Sequence, residues 1–92
     1  MAVSAVYGVR IDVVEEGGRP VRFTWNGRVY AVRRVIDHWV TLRADHAAAA
    51  GGRGVPQRRH WRVEAGSDRA PGVFELRYES LGDEWTLARV VE

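Results

Sequence analysis

The pair Asn26-Gly27 stands between two runs that alternate apolar and polar residues, Val21-Arg22-Phe23-Thr24-Trp25 and Arg28-Val29-Tyr30-Ala31-Val32. Alternation with period 2 places every second side chain on one face of a strand. Asn-Gly supplies the two positive-φ residues of a type I′ turn, whose twist matches that of the flanking strands. The register follows: Trp25 opposes Arg28, Phe23 opposes Tyr30 and Val21 opposes Val32 on one face. Arg22, Thr24, Val29 and Ala31 take the other.

The same period runs through most of the chain. Tyr7 to Val13 is apolar at odd positions, and Glu15-Glu16-Gly17-Gly18-Arg19-Pro20 reads as a turn, with proline admitted only at a strand's start. At Arg33-Arg34-Val35-Ile36 the pattern slips, because a strict strand would send one residue of each pair to the wrong side. A β-bulge or bend lets the chain continue through Asp37 to Leu42; a short helix is the competing reading. Arg58 to Ala65 alternates with Trp61, Val63 and Ala65 inward, Val73 to Glu79 with Phe74, Leu76 and Tyr78 inward, and Glu84 to Val91 with Trp85, Leu87 and Val91 inward. Matching faces across the following turn sets Arg62 opposite Glu75, Arg58 opposite Glu79 and His60 opposite Arg77. Opposite charges paired in this way stabilise a sheet by about 0.2–1 kcal/mol each.

The expected fold is all-β: a six-strand antiparallel meander, bent strongly or rolled into a small, partly open barrel to bury its one apolar face. The 92 residues allow a single β domain, 1–92. The Ala/Gly-rich stretch 44–57 is expected to be a flexible loop inside it.

Composition removes several kinds of chemistry. With no cysteine there is no disulfide scaffold, thiolate zinc site, iron–sulfur cluster or cysteine nucleophile. The 14 basic residues are all arginine, so lysine-dependent mechanisms are excluded. A genome rich in G and C accounts for arginine, alanine, glycine and valine together, and a net charge of +2 is weak for nucleic-acid binding unless the arginines cluster. His38, His46 and His60 lack zinc-ligand spacing. Ser4, Ser67 and Ser80 lie in no nucleophile motif, and Gly51-Gly52-Arg53-Gly54 lacks the ending of a P-loop. Glu15-Glu16 and Asp83-Glu84 lie in turns. No enzyme activity, cofactor or metal is expected. No apolar run approaches the roughly 18–20 residues of a membrane span, and the N-terminus lacks the pattern of a secretory signal, so the expected location is cytoplasmic.

Arginines interleaved with aromatics are the functional lead. Arg28, Arg33, Arg34, Trp39, Arg58 and Arg62 are the candidate contact residues, since aromatic rings stack on bases and arginine neutralises phosphate. Tryptophans also fill thin barrels, and Trp39, beside the pattern break, is the one of the four expected to be partly exposed.

A set of phrases occurs in order: Arg22-Phe23-Thr24-Trp25-Asn26-Gly27-Arg28-Val29-Tyr30-Ala31-Val32, Val35-Ile36-Asp37-His38-Trp39, His60-Trp61-Arg62-Val63-Glu64-Ala65, Gly72-Val73-Phe74-Glu75-Leu76 and Trp85-Thr86-Leu87-Ala88-Arg89-Val90. From Val21 to Val91 the chain thereby resembles a small bacterial family of high-GC organisms. That family has no established active site and is encoded near error-prone Y-family DNA polymerases. Similar segments resemble the C-terminal region of the inactive polymerase homologues of the mutasome. The family often has further aromatics after Asp-His-Trp, where this chain has alanine and glycine at 44–54. The resemblance implies an accessory or adaptor role in DNA damage tolerance through contact with a polymerase-associated protein. Single-stranded DNA, bound through arginine and tryptophan, is the alternative partner.

Overall fold

The structure, a computed structural model, describes residues 4–42, 57–66 and 69–91. The described residues form six strands: β1 (Ser4–Glu16), β2 (Arg19–Trp25), β3 (Arg28–Leu42), β4 (Gln57–Gly66), β5 (Pro71–Glu79) and β6 (Glu84–Val91). Each pairs antiparallel with the next, and β6 returns to β1, closing a barrel. The expected all-β meander is therefore present, with full closure. The first turn is tighter than expected: β1 runs to Glu16, and only Gly17 and Gly18, both at positive φ, separate it from β2. Gln57, expected in the loop, begins β4 opposite Leu42. The rest of the 44–57 segment lies outside the described residues.

Alternation works as the pairings require. Phe23 opposes Tyr30 and Trp25 opposes Arg28 across a turn in which Asn26 (φ 53°) and Gly27 (φ 74°) both adopt the left-handed conformation. The inward residues Ile11, Phe23, Trp61, Val63, Ala65, Phe74, Leu76, Trp85, Leu87 and Val90 make one buried cluster. At one end, Phe23 stacks on Tyr30 at 5.0 Å and meets Phe74 edge-on at 5.2 Å. At the other, Tyr78 tilts against Trp85 at 5.2 Å. Aromatic rings thus fill the barrel together with the aliphatic residues of the cluster.

Bulges resolve the pattern breaks. Along β3, Val32 opposes Ala65, Arg34 opposes Glu64, Val35 opposes Val63 and Asp37 opposes Arg62, so Arg33 and Ile36 are each extra residues in the ladder. Two bulges, rather than one or a helix, keep Val32, Val35 and His38 aligned with the inward residues of β4. In β6, Leu87 opposes Leu76 and Arg89 opposes Glu75, which leaves Ala88 without a partner on β5. That extra residue shifts the face: Val90 is buried opposite Phe74, and Val91, expected inward, is only partly covered.

The long strands β1 and β3 each serve two neighbours in succession. β3 pairs with β2 only over Arg28–Ala31, then with β4 from Val32 to Leu42. Beyond the start of β2, the edge of β3 that faces away from β4 has no strand beside it among the described residues. Among the described residues, β2 and β4 are the strands packed against β3.

Candidate functional site

The outer half of β3 and the facing part of β4 bring together most of the nominated residues. Trp39 lies directly opposite His60, their rings nearly parallel (3°) with centroids 5.2 Å apart. The Arg62 guanidinium carbon stands 5.6 Å from the Trp39 ring centroid, within range of a cation–π contact. Thr41 Oγ1 and His60 Nε2 are hydrogen-bonded at 2.9 Å. Trp39 is partly exposed and stands outside the buried cluster, whereas Trp61 and Trp85 belong to it and Trp25 packs against it.

The arginines of this face are held by carboxylates. Arg58 Nε donates to Glu79 Oε1 at 2.8 Å and Oε2 at 3.0 Å. Arg62 donates from Nε and Nη2 to Glu75 Oε2 at 3.0 and 2.8 Å. The more exposed Arg34 lies 3.6 Å from Glu64. These are the pairings that matched faces predicted across β4 and β5, with one more between β3 and β4. They leave a charge-balanced lattice rather than a basic stripe, and a nucleic-acid phosphate would have to compete with each carboxylate.

Two nominated residues lie elsewhere. Arg28 is at the Asn26-Gly27 hairpin tip opposite Trp25, apart from Trp39. Arg33, in the first β3 bulge, lines a groove of about 300 Å³ with Glu16, Arg19, Pro20, Val21, Val32, Arg34 and Val35. Arg19 joins the arginines there only because β2 begins beside the point where β3 leaves it. Sequence spacing carries no signal for that.

The inward face of outer β3 was also missed. His38 opposes Trp61 and stacks on it at 3.8 Å and 20°. Val40 and Leu42 continue the line opposite Arg59 and Gln57, and remain 46% and 62% exposed. Only the extra residue at Ile36 puts them on the face of Val35, since their sequence parity is the opposite one, and β4 offers them no apolar partner. Beneath His38 the Trp61 indole Nε1 is buried with no hydrogen-bond partner.

Proton chemistry on this face is modest. Burial, and then the nearby Arg77 and Arg58 guanidinium groups, push His60 below its ordinary value, favouring the neutral ring. Tyr78 is raised because its hydroxyl donates to Asp83 Oδ1 at 2.6 Å. Among the described residues no charged side chain is buried and no three potential ligands gather for a metal ion. Neither His38 nor His60 lines the groove of about 460 Å³ between Val9–Asp12 and Thr24–Gly27.

A family model described as Domain of unknown function (DUF6504) matches residues 3–92. No curated protein and no solved structure matches the chain.

Proposed function

The chain belongs to the DUF6504 domain family, and from that premise we propose that it is a non-enzymatic module that works by contact with another protein. The observation that carries this reading is the contrast between the two sides of β3. Toward β4 and β5 the arginines are neutralised by Glu64, Glu75 and Glu79. On the other side, beyond β2, β3 has no strand beside it among the described residues, and Val40 and Leu42 are exposed. Open edges and exposed apolar residues recruit polypeptide more readily than phosphate backbone. Trp39 supports the same choice, because His60 and Arg62 already engage its ring and a nucleic-acid base would have to displace them.

The resemblance set out above directs the first trial of partners to polymerase-associated proteins, with an accessory role in DNA damage tolerance. The test is twofold. Labelled single-stranded DNA is titrated at low and physiological salt, and the protein is cross-linked to candidate partners with and without Trp39→Ala. The expected result is no DNA binding at physiological salt and a cross-linked partner weakened by the substitution. DNA affinity that survives physiological salt and falls steeply with added salt would overturn the reading in favour of phosphate contact.

A further inference from the structure

We propose that Asn26, at the tip of the β2–β3 hairpin, is a site of spontaneous deamidation, and that its isoaspartyl product loosens the hairpin. This modification does not depend on the protein-contact reading.

The chemistry needs a backbone nitrogen that can reach the asparagine carboxamide. The Gly27 nitrogen attacks Cγ of Asn26, closing a five-membered succinimide and releasing ammonia. Water then opens one of the two ring carbonyls. One opening gives aspartate; the other gives isoaspartate, in which the main chain runs through the former side-chain carbonyl. A side chain on the following residue hinders the attack, and glycine has none. The chain offers one place for this reaction, because Asn26 is its only asparagine and Gly27 follows it. Its only glutamine, Gln57, would have to close a larger ring, and its backbone N–H is already donated to Ser80 Oγ at 2.8 Å.

The fold leaves the tip accessible. Asn26 and Gly27 are both exposed, and a Cβ built on Gly27 would meet nothing within 4 Å. The flanking ladders stop short of the turn: the β1–β2 ladder ends at the Asp12–Thr24 pair, and β4 joins β3 only at Val32. Beyond Thr24 the two strands of the tip are paired only with each other among the described residues. Trp25 is anchored inward by edge contacts with Tyr7 at 5.3 Å and Phe74 at 6.5 Å, which confines opening to the Asn26-Gly27 turn. A succinimide does not fit the left-handed backbone of that turn, where Asn26 has φ 53°, so the turn must open before the ring closes. A two-stranded tip without further neighbours opens at low cost.

The product changes the tip in two ways. The added carboxylate takes the formal net charge from +2 to +1 and joins Asp12 in the groove that Arg10, Trp25 and residue 26 line. Isoaspartate also inserts one backbone carbon between Trp25 and Arg28, whose direct pairing fits a two-residue type I′ turn of ordinary backbone.

The test incubates the full chain in mildly alkaline buffer beside a synthetic peptide of residues 22–31. Mass spectrometry follows replacement of the amide nitrogen by hydroxyl oxygen, and tryptic cleavage after Arg22 and Arg28 isolates the segment that carries Asn26. The chain is expected to deamidate within about tenfold of the peptide's rate, an opening cost of no more than about 1.4 kcal/mol. Asn26→Gly keeps a Gly-Gly type I′ turn and should gain no mass. Amide exchange at Trp25–Val29 should quicken severalfold in the isoaspartyl form. It should not quicken in freshly prepared Asn26→Asp, which adds the charge without the extra backbone carbon. A rate more than tenfold below the peptide's, or a mass gain that persists in Asn26→Gly, would overturn the site. Unchanged exchange in the isoaspartyl form, or equal quickening in Asn26→Asp, would overturn the loosening of the hairpin.

Discussion

Arg62 reaches across the β4–β5 ladder to Glu75 and directs both Nε and Nη2 to one carboxylate oxygen, Oε2, at 3.0 and 2.8 Å. The same guanidinium stands by the Trp39 ring, so a single side chain links β3, β4 and β5. Water reaches Arg62, whose side chain is 41% exposed, and solvent screening keeps the pair modest. A double-mutant cycle of Arg62→Ala and Glu75→Ala, read by denaturant unfolding, should give a coupling of about 0.5–1 kcal/mol. Coupling indistinguishable from zero would mean that the pair only decorates the sheet.

Trp61 and Trp39 should separate cleanly in stability. Trp61 is 5% exposed inside the cluster, and Trp61→Ala should destabilise by about 3–5 kcal/mol. Trp61→Phe keeps most of the ring and removes the indole N–H that is buried without a partner. An unsatisfied donor of that kind opposes folding by about 1–3 kcal/mol, so the phenylalanine variant should be far milder than the alanine one. Trp39→Ala should unfold in denaturant within about 1.5 kcal/mol of the parent, because that ring lies outside the cluster. Equal losses for Trp39→Ala and Trp61→Ala would contradict the assignment of one ring to the outside.

Gly66 closes β4 at φ +113°, and a Cβ placed there would come within 2.6 Å of the Ala70 carbonyl oxygen. Both the backbone conformation and the contact resist any side chain. Gly66→Ala should therefore lower stability by more than about 2 kcal/mol. Gly8, where an added Cβ meets nothing within 4 Å, provides the comparison: Gly8→Ala should be close to neutral. Thermal or urea unfolding of the two variants checks this.

His60 makes stability depend on mild acid. Its proton affinity is lowered in the folded protein, chiefly by burial and then by Arg77 and Arg58, against weaker opposing effects of Glu75 and Glu79. Near its ordinary value of 6.5 the unfolded chain therefore binds more protons than the folded one. The contribution is fully present above that pH and is lost as pH falls through the lowered folded value. A His60→Gln variant should lose less stability than the parent between neutral pH and mild acid. Identical pH profiles would show that His60 titrates alike in both states.

Most of the β4–β5 surface could be read from the residues because antiparallel pairing turns parity into contact. Once Trp61 and Leu76 are set inward, Arg58, Arg62, Glu75 and Glu79 can only meet as they do. The hairpin was equally legible, since Asn26-Gly27 permits one tight geometry. The inward assignment of Val91 failed for a definite reason. A bulge at Ala88 leaves no sequence mark, being a response of β6 to the different registers of β1 and β5. The grouping of Arg19 with Arg33 and Arg34 was hidden in the same way, because it depends on where two strands part.

Local alternation, then, determined the strands, their faces and their nearest pairings, for these follow from the pleat and from turn chemistry within a few residues. Only tertiary structure decided that β6 closes onto β1, that β3 outruns β2, and that the Trp61 indole N–H is buried without a partner. Those outcomes depend on how strands of unequal length fit around one shared interior. That is a property of the whole barrel, which no short stretch of chain contains.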